Sequence, residues 1–249
     1  MNSPSKILLI EPPFYRLYKN EHQFVRYPLS LGYLAGAIKK ETNWKVIVYN
    51  GDFYPKTGFF NIVYMIGEGF YNYLDNIKNS SRPIWEEMRL TIKEYMPDVV
   101  GISANSANFS SACIIAKTVK DFNNKTIVVI GGPHPSAVGS EVLNCPDIDV
   151  AVIGEGEKTI VELLSAIELN SCLDSVKGIA YRKNGAIIET PKRELIENLD
   201  ILCFPNEIAP EVLKDYKIYP KDAFKSIFAT RGCPYECFFA LLVRYGVEK

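Results

Sequence analysis

The chain has 249 residues with 47% hydrophobic content, enough for one large domain or one medium domain with appendages. With 28 Lys+Arg against 29 Asp+Glu it lacks the broad basic face that tracks a phosphate backbone, so nucleic acid is not an expected partner. No run approaches the ~20 apolar residues of a membrane span, and the short apolar run at 7–10 is no signal-peptide core, so a cytoplasmic protein without a membrane partner is expected.

The first short β-branched run, at 6–10, is followed by a helix-period stretch at 29–41 and a second strand at 45–49. The connection over 50–97 is long for a structureless loop. It carries Phe59, Phe60, Tyr64, Phe70, Tyr71 and Tyr73, is expected to contain helices (83–95 among them), and reads as a cap on one sheet edge. Strands at 98–103, 126–130 and 148–153 then alternate with helices at 107–122, 137–144 and 157–168. The strands are Val/Ile-rich without polar alternation, as suits parallel strands buried on both faces. Together they predict a doubly wound, five-stranded parallel α/β sheet.

Beyond residue 168 the pattern changes. Asn184-Gly185 between two β-rich runs, 178–182 and 186–190, predicts a hairpin. A linker punctuated by Pro191, Pro205, Pro210 and Pro220 leads to residues 224–229, which read as one more strand. The expected division is an α/β domain over 1–170, hairpin and linker over 171–222, and the start of a further domain over 223–249. Of six cysteines, Cys113, Cys145, Cys172 and Cys203 stand alone and read as packing residues, whereas Cys233 and Cys237 lie close together after an Arg-Gly turn.

In a doubly wound sheet the ligand sits at the carboxyl ends of the strands. The loops there are Glu11-Pro12-Pro13 after the first strand, Ser103 to Asn108 with Asn105 and Ser106 after the third, Gly131-Gly132-Pro133-His134 after the fourth, and Gly154-Glu155-Gly156-Glu157 after the fifth. Small residues there let backbone approach a large or polyanionic ligand closely, and Gly154 and Gly156 precede a helix start that presents free N–H groups. Neither GxGxxG nor GxxxxGK[ST] occurs, so dinucleotide and P-loop readings lose their main support.

Taken in order, Pro12-Pro13, the run Tyr27 to Ala35, Pro97 to Ser103, Gly131 to Pro135 and Gly154 to Glu157 resemble the cobalamin-binding domain of B12-dependent radical-SAM proteins. The resemblance implies a flavodoxin-like strand order and cobalamin as cofactor, held by the loops just named. It also implies a linker through Asn198-Leu199-Asp200 and Phe204-Pro205 to a radical-SAM barrel. The run from Ala229 through Cys233 to Cys237 is similar to the opening of that family's CxxxCxxC loop, whose thiolates hold a [4Fe–4S] cluster that binds S-adenosylmethionine. Cys233 and Cys237 are the implied metal ligands, but position 240, where a third cysteine belongs, is Ala240. The resemblance thus implies a cobalamin module truncated at the start of the radical-SAM domain and not competent for that chemistry by itself. The residues from about 221 onward are expected to be loosely held. The competing expectation is an α/β nucleotide- or partner-binding domain that no longer binds cobalamin. The loop after the first strand, Glu11 to Arg16, contains no histidine to ligate cobalt, and His134 is expected to pack or hydrogen-bond.

Overall fold

A computed structural model describes residues 4–19, 26–55 and 62–232. In chain order the elements are β1 (Lys6–Glu11), α1 (Tyr15–Tyr18), α2 (Leu29–Glu41), β2 (Lys45–Asn50), α3 (Ile62–Ile66), α4 (Glu68–Lys78), α5 (Pro83–Tyr95) and β3 (Val99–Ser103). They continue with α6 (Phe109–Phe122), β4 (Ile127–Gly131), α7 (Pro133–Val138), β5 (Val150–Val152), α8 (Glu157–Glu168), β6 (Ile179–Lys183), β7 (Ala186–Glu189) and α9 (Pro205–Val212). The strands form one sheet in the order β2-β1-β3-β4-β5-β6-β7. The first five are parallel, and the last two join antiparallel. The flavodoxin-like order 2-1-3-4-5 is therefore present. The expected five-stranded sheet is extended to seven because the Asn184-Gly185 hairpin pairs with β5, Val152 opposite Ile179. Both turn residues have positive φ, 53° and 81°, the geometry that this dipeptide favours.

Alternating side chains divide the sheet between two apolar layers. Ile7, Leu9, Val99, Val129, Val150 and Val152 face a layer completed by Leu31, Ala35 and Ile38 of α2, Ile160, Leu163 and Leu164 of α8, and Ala209 and Val212 of α9. Leu8, Ile10, Val100, Ile102, Val128, Ile130 and Ala151 face the other, filled by Trp85, Met88 and Ile92 of α5 and Ala112, Ile115 and Val119 of α6. Burial on both faces explains the unbroken Val/Ile runs, each such side chain contributing roughly 1.5–3 kcal/mol.

Three expected elements differ. The helix over 137–144 starts earlier, as α7, because Pro133 is preorganised at its first position, and it stops at Gly139 (φ 66°), after which a 3₁₀ helix runs over Gly139–Asn144. The 50–97 connection does contain helices, but α4 rests on α1, where Tyr18 stacks on Tyr73 at 4.9 Å and Asn76 Nδ2 donates to Leu17 O at 2.8 Å. The β2 edge is instead met by the chain after α9, where Val48 bridges Leu213 and Lys214 N donates to Val48 O. Residues 225–230 form no strand; the segment enters through a 3₁₀ turn, Lys221–Phe224, and lies against α2 rather than beside a sheet edge.

Candidate functional site

A slot opens at the carboxyl ends of the parallel strands, where two positions in the layer facing α2 and α8 carry no side chain. Gly101 continues the row of Val99 on β3, and Gly131 continues the row of Val129 on β4. A Cβ at Gly101 would stand 2.7 Å from Leu9 Cδ2, so Leu9 uses that space. A Cβ at Gly131 would meet only Val152 Cβ, at 3.6 Å. The result is a cavity of about 190 Å³ walled by Leu9, Val129 and Val152 of the sheet, Leu31 and Leu34 of α2 and Ile160 of α8.

Backbone and charge form the mouth. Gly132 has φ 103°, and a Cβ there would come within 2.9 Å of Ala104 O; the loops after β3 and β4 are knitted by Ala104 N donating to Gly131 O and His134 N donating to Ala104 O. Gly154, at φ 90°, faces open space. Glu155 Oε2 accepts from Ile196 N at 2.6 Å, while Arg231 donates to Glu155 Oε1 at 3.2 Å and to Glu157 Oε1 at 2.6 Å. Burial opposes the charge on Arg231, but its hydrogen bonds to the two carboxylates and their charges outweigh it and raise its pKa. Glu157, the first residue of α8 and 5% exposed, has a second oxygen, Oε2, that is buried without a partner among the described residues.

A second, more polar recess of about 320 Å³ shares Ser30 and Phe228 with the slot and is lined by Glu11, Asp52 and Asn105 among others. Burial, reinforced by nearby Asp52 and opposed by Arg26, pushes the Glu11 carboxyl up to about 8. Asp52 is buried too, which raises its pKa, but it accepts hydrogen bonds from the backbone N–H groups of Phe14, Tyr15 and Arg16. The buried Arg16 donates to Gly51 O, Phe53 O and Glu87. The β1–α1 loop is therefore held rigidly, and it presents no histidine.

Of the residues singled out in sequence, Ser103, Gly131, Gly132, Gly154, Glu155, Gly156 and Glu157 meet at the slot. Pro12 and Pro13 of the β1–α1 loop are buried, and Pro13 O accepts from Ser111 Oγ. Asn105 lines the recess, its Oδ1 accepting from Ala107 N and Asn108 N. Ser106 and His134 pair with each other, Oγ to Nδ1 at 3.1 Å, and burial lowers the His134 pKa. Cys233 and Cys237, like Ala240 and His22, the other of the chain's two histidines, lie outside the described residues. Cys172, expected to be a packing residue, is exposed and donates to Asp174. The expected loose tail is docked as far as it is described: Phe228 stacks on Tyr33 (5.8 Å, 14°) and Arg231 lies over the same ring. Sequence reading did not single out Arg231, and it gave Leu31, Leu34 and Gly101 no site role although the family-like runs Tyr27 to Ala35 and Pro97 to Ser103 contain them. A glycine inside a buried β-branched strand was the available sign at Gly101.

A family model described as the B12 binding domain matches residues 16–164. The uncharacterized methyltransferase PH0819 of Pyrococcus horikoshii is 30% identical over 242 residues, covering 94% of this chain and 44% of that protein. The anaerobic magnesium-protoporphyrin IX monomethyl ester cyclase of Synechocystis is 32% identical over 140 residues, covering 56% of this chain and 28% of that protein. Among solved structures, the cobalamin-dependent S-adenosylmethionine radical enzyme OxsB with aqua-cobalamin and S-adenosylmethionine bound matches with a TM-score of 0.54 at 18% identity, over 78% of this chain and 23% of that one. At that identity the likeness is one of fold. The chain spans less than half the length of the curated relatives it matches.

Proposed function

Because the chain belongs to the B12-binding domain family, we propose that it binds cobalamin in the slot between the sheet and helices α2 and α8, as the cobalamin module of a radical-SAM methyltransferase-like protein. One observation carries the reading: the apolar layer is interrupted at Gly131, at the carboxyl end of a central parallel strand, where an open slot serves a ligand and a side chain would serve only the core. The residues present fit the cofactor. The apolar walls suit its aromatic nucleotide base, Gly132 and Gly154 let the backbone approach its bulk, and Glu157 Oε2 is an acceptor without a donor.

Ser103, Gly131, Gly132 and Gly154 to Glu157 would hold the cofactor directly. Asn105, Ser106, His134, Pro12 and Pro13 would shape the surrounding loops. Bound cobalamin supplies a cobalt centre able to carry a methyl group or to exchange electrons. The chain's own part is to orient that cofactor and keep water from the slot, with the rigid β1–α1 loop beneath. On this reading residues 1–170 are the cofactor-binding unit, 171–222 the hairpin and linker, and 223–249 the opening of a radical-SAM domain. In the full-length family a [4Fe–4S] cluster and S-adenosylmethionine belong to that domain; here Cys233 and Cys237 would be two of its three thiolates, with Ala240 in the third position.

The test is titration with hydroxocobalamin, followed by gel filtration of the purified chain. Co-elution at one cobalamin per chain, lost in a Gly131→Leu variant that melts normally, is expected. Absence of any retained cobalamin would overturn the reading in favour of a nucleotide- or partner-binding domain.

A further inference from the structure

The last described residues do more than leave the domain. Their start is anchored by Tyr27 N donating to Ala223 O and by Asn206 Nδ2 donating to Phe224 O. Their end is anchored by Phe228 on Tyr33 and by the Arg231 guanidinium across Glu155 and Glu157. The two residues of the end anchor, Phe228 and Arg231, also supply part of the slot's own wall. The segment therefore crosses the mouth that a ligand must pass.

Glu157 adds an independent observation. Arg231 occupies Oε1 and fixes the carboxylate of this slot-lining residue, leaving Oε2 buried with no hydrogen-bond donor among the described residues. A buried polar atom without a partner is costly, and an ionised acceptor makes a stronger hydrogen bond than a neutral one. The group is set to receive an O–H or N–H from whatever enters. Cobalamin, the ligand on the reading above, carries ribose hydroxyls and side-chain amides of that kind.

We propose that residues 225–232 form a strap closing the slot, that Arg231 is its latch, and that Glu157 Oε2 accepts a hydrogen bond from the ligand. One carboxylate then holds ligand and strap at once. Linkage requires reciprocity: the factor by which the ligand disfavours strap opening is the factor by which unlatching weakens the ligand, typically about 5- to 150-fold for such couplings. Arg231 is a positioning residue on this account, acting on the ligand through Glu157. The ligand arm rests on cobalamin occupying the slot, whereas the latch arm does not.

Limited trypsin digestion of the full chain reads both arms, because trypsin cuts after Arg231 only when its own pocket can take that side chain. In cobalamin-free protein, Glu155→Gln and Glu157→Gln should each speed cleavage after Arg231 about tenfold relative to cleavage after Lys183 in the hairpin. Unchanged rates in variants that melt as the parent does would overturn the latch. Arg231→Lys keeps a trypsin site but loses the two-pronged fork, and should also be cut faster; it serves if a Gln variant fails to fold. Saturating hydroxocobalamin should slow cleavage after Arg231 in the parent chain at least fivefold, and Arg231→Gln should raise the dissociation constant by a matching factor. Cobalamin that binds tightly yet leaves cleavage unchanged overturns the proposal and spares the cofactor assignment. Cobalamin that does not bind overturns both that assignment and the ligand arm, leaving the latch to the cofactor-free comparison.

Discussion

Replacing Gly131 by alanine should pull stability and ligand binding in opposite directions. Gly131 is not among the glycines at positive φ, and its new Cβ would meet only Val152 Cβ, at the ordinary distance of 3.6 Å. A Gly→Ala change at a compatible position stabilises by about 0.4–1 kcal/mol through the unfolded chain, so the melting temperature should rise by roughly 1–4 °C. The methyl group projects into the cavity of about 190 Å³. Overfilling a packed site costs about 1–3 kcal/mol, which is a loss of roughly 5- to 150-fold in cobalamin affinity. Thermal melts of the cofactor-free protein and hydroxocobalamin titrations supply the two numbers. Gly132→Ala is the contrast: at φ 103°, with Ala104 O 2.9 Å from the new Cβ, it should destabilise the fold itself by about 1–3 kcal/mol. Undiminished cobalamin affinity in Gly131→Ala would refute the slot as the binding site, and a large loss of stability would refute the stated packing.

Glu11 gives a pH prediction. Burial pushes its carboxyl up to about 8 from the ordinary 4.5, so the folded chain keeps a proton that the unfolded chain releases. Its contribution, on the order of several kcal/mol, is complete below pH ~4.5 and is lost as pH rises toward ~8. Urea unfolding at pH 5 and pH 8 should show Glu11→Gln losing less stability than the parent over that interval; equal losses would discount the buried proton. Asp52→Ala removes the acceptor for three backbone N–H groups and should cost about 2–4 kcal/mol in the same assay, whereas a surface-like value under 0.5 kcal/mol would show that the loop is not held this way. Electron paramagnetic resonance of bound cob(II)alamin should show no nitrogen splitting that His134→Ala removes, since His134 pairs through Nδ1 with Ser106 Oγ and neither residue lines the slot; a splitting abolished by that change would put a histidine on cobalt.

The strands were legible because burial on both sheet faces leaves a strong trace, the Val/Ile runs of β1, β3 and β4. The hairpin was legible because Asn184-Gly185 meets a local steric demand. The mouth loops were legible for a related reason, small residues at strand ends. The slot's walls were not. Leu31, Leu34 and Ile160 read as ordinary helix faces, and only the sheet register places Gly101 and Gly131 opposite them. Arg231 was hidden more deeply, since its partners lie 74 and 76 residues away and no local pattern encodes the pairing. The 224–229 run misled because its alternation suits a strand, yet Tyr33 offers Phe228 a ring to stack on and these residues pair with no strand of the sheet.

The most direct measurement is a crystal structure of the chain grown with hydroxocobalamin. The account predicts cobalamin at the carboxyl ends of β1, β3, β4 and β5, with part of the molecule inserted between Gly131 and Ile160 and a donor within hydrogen-bond distance of Glu157 Oε2. Cobalamin seated instead elsewhere, such as the groove bearing Cys113 and Cys145 on the opposite layer, with the slot left unfilled, would contradict it.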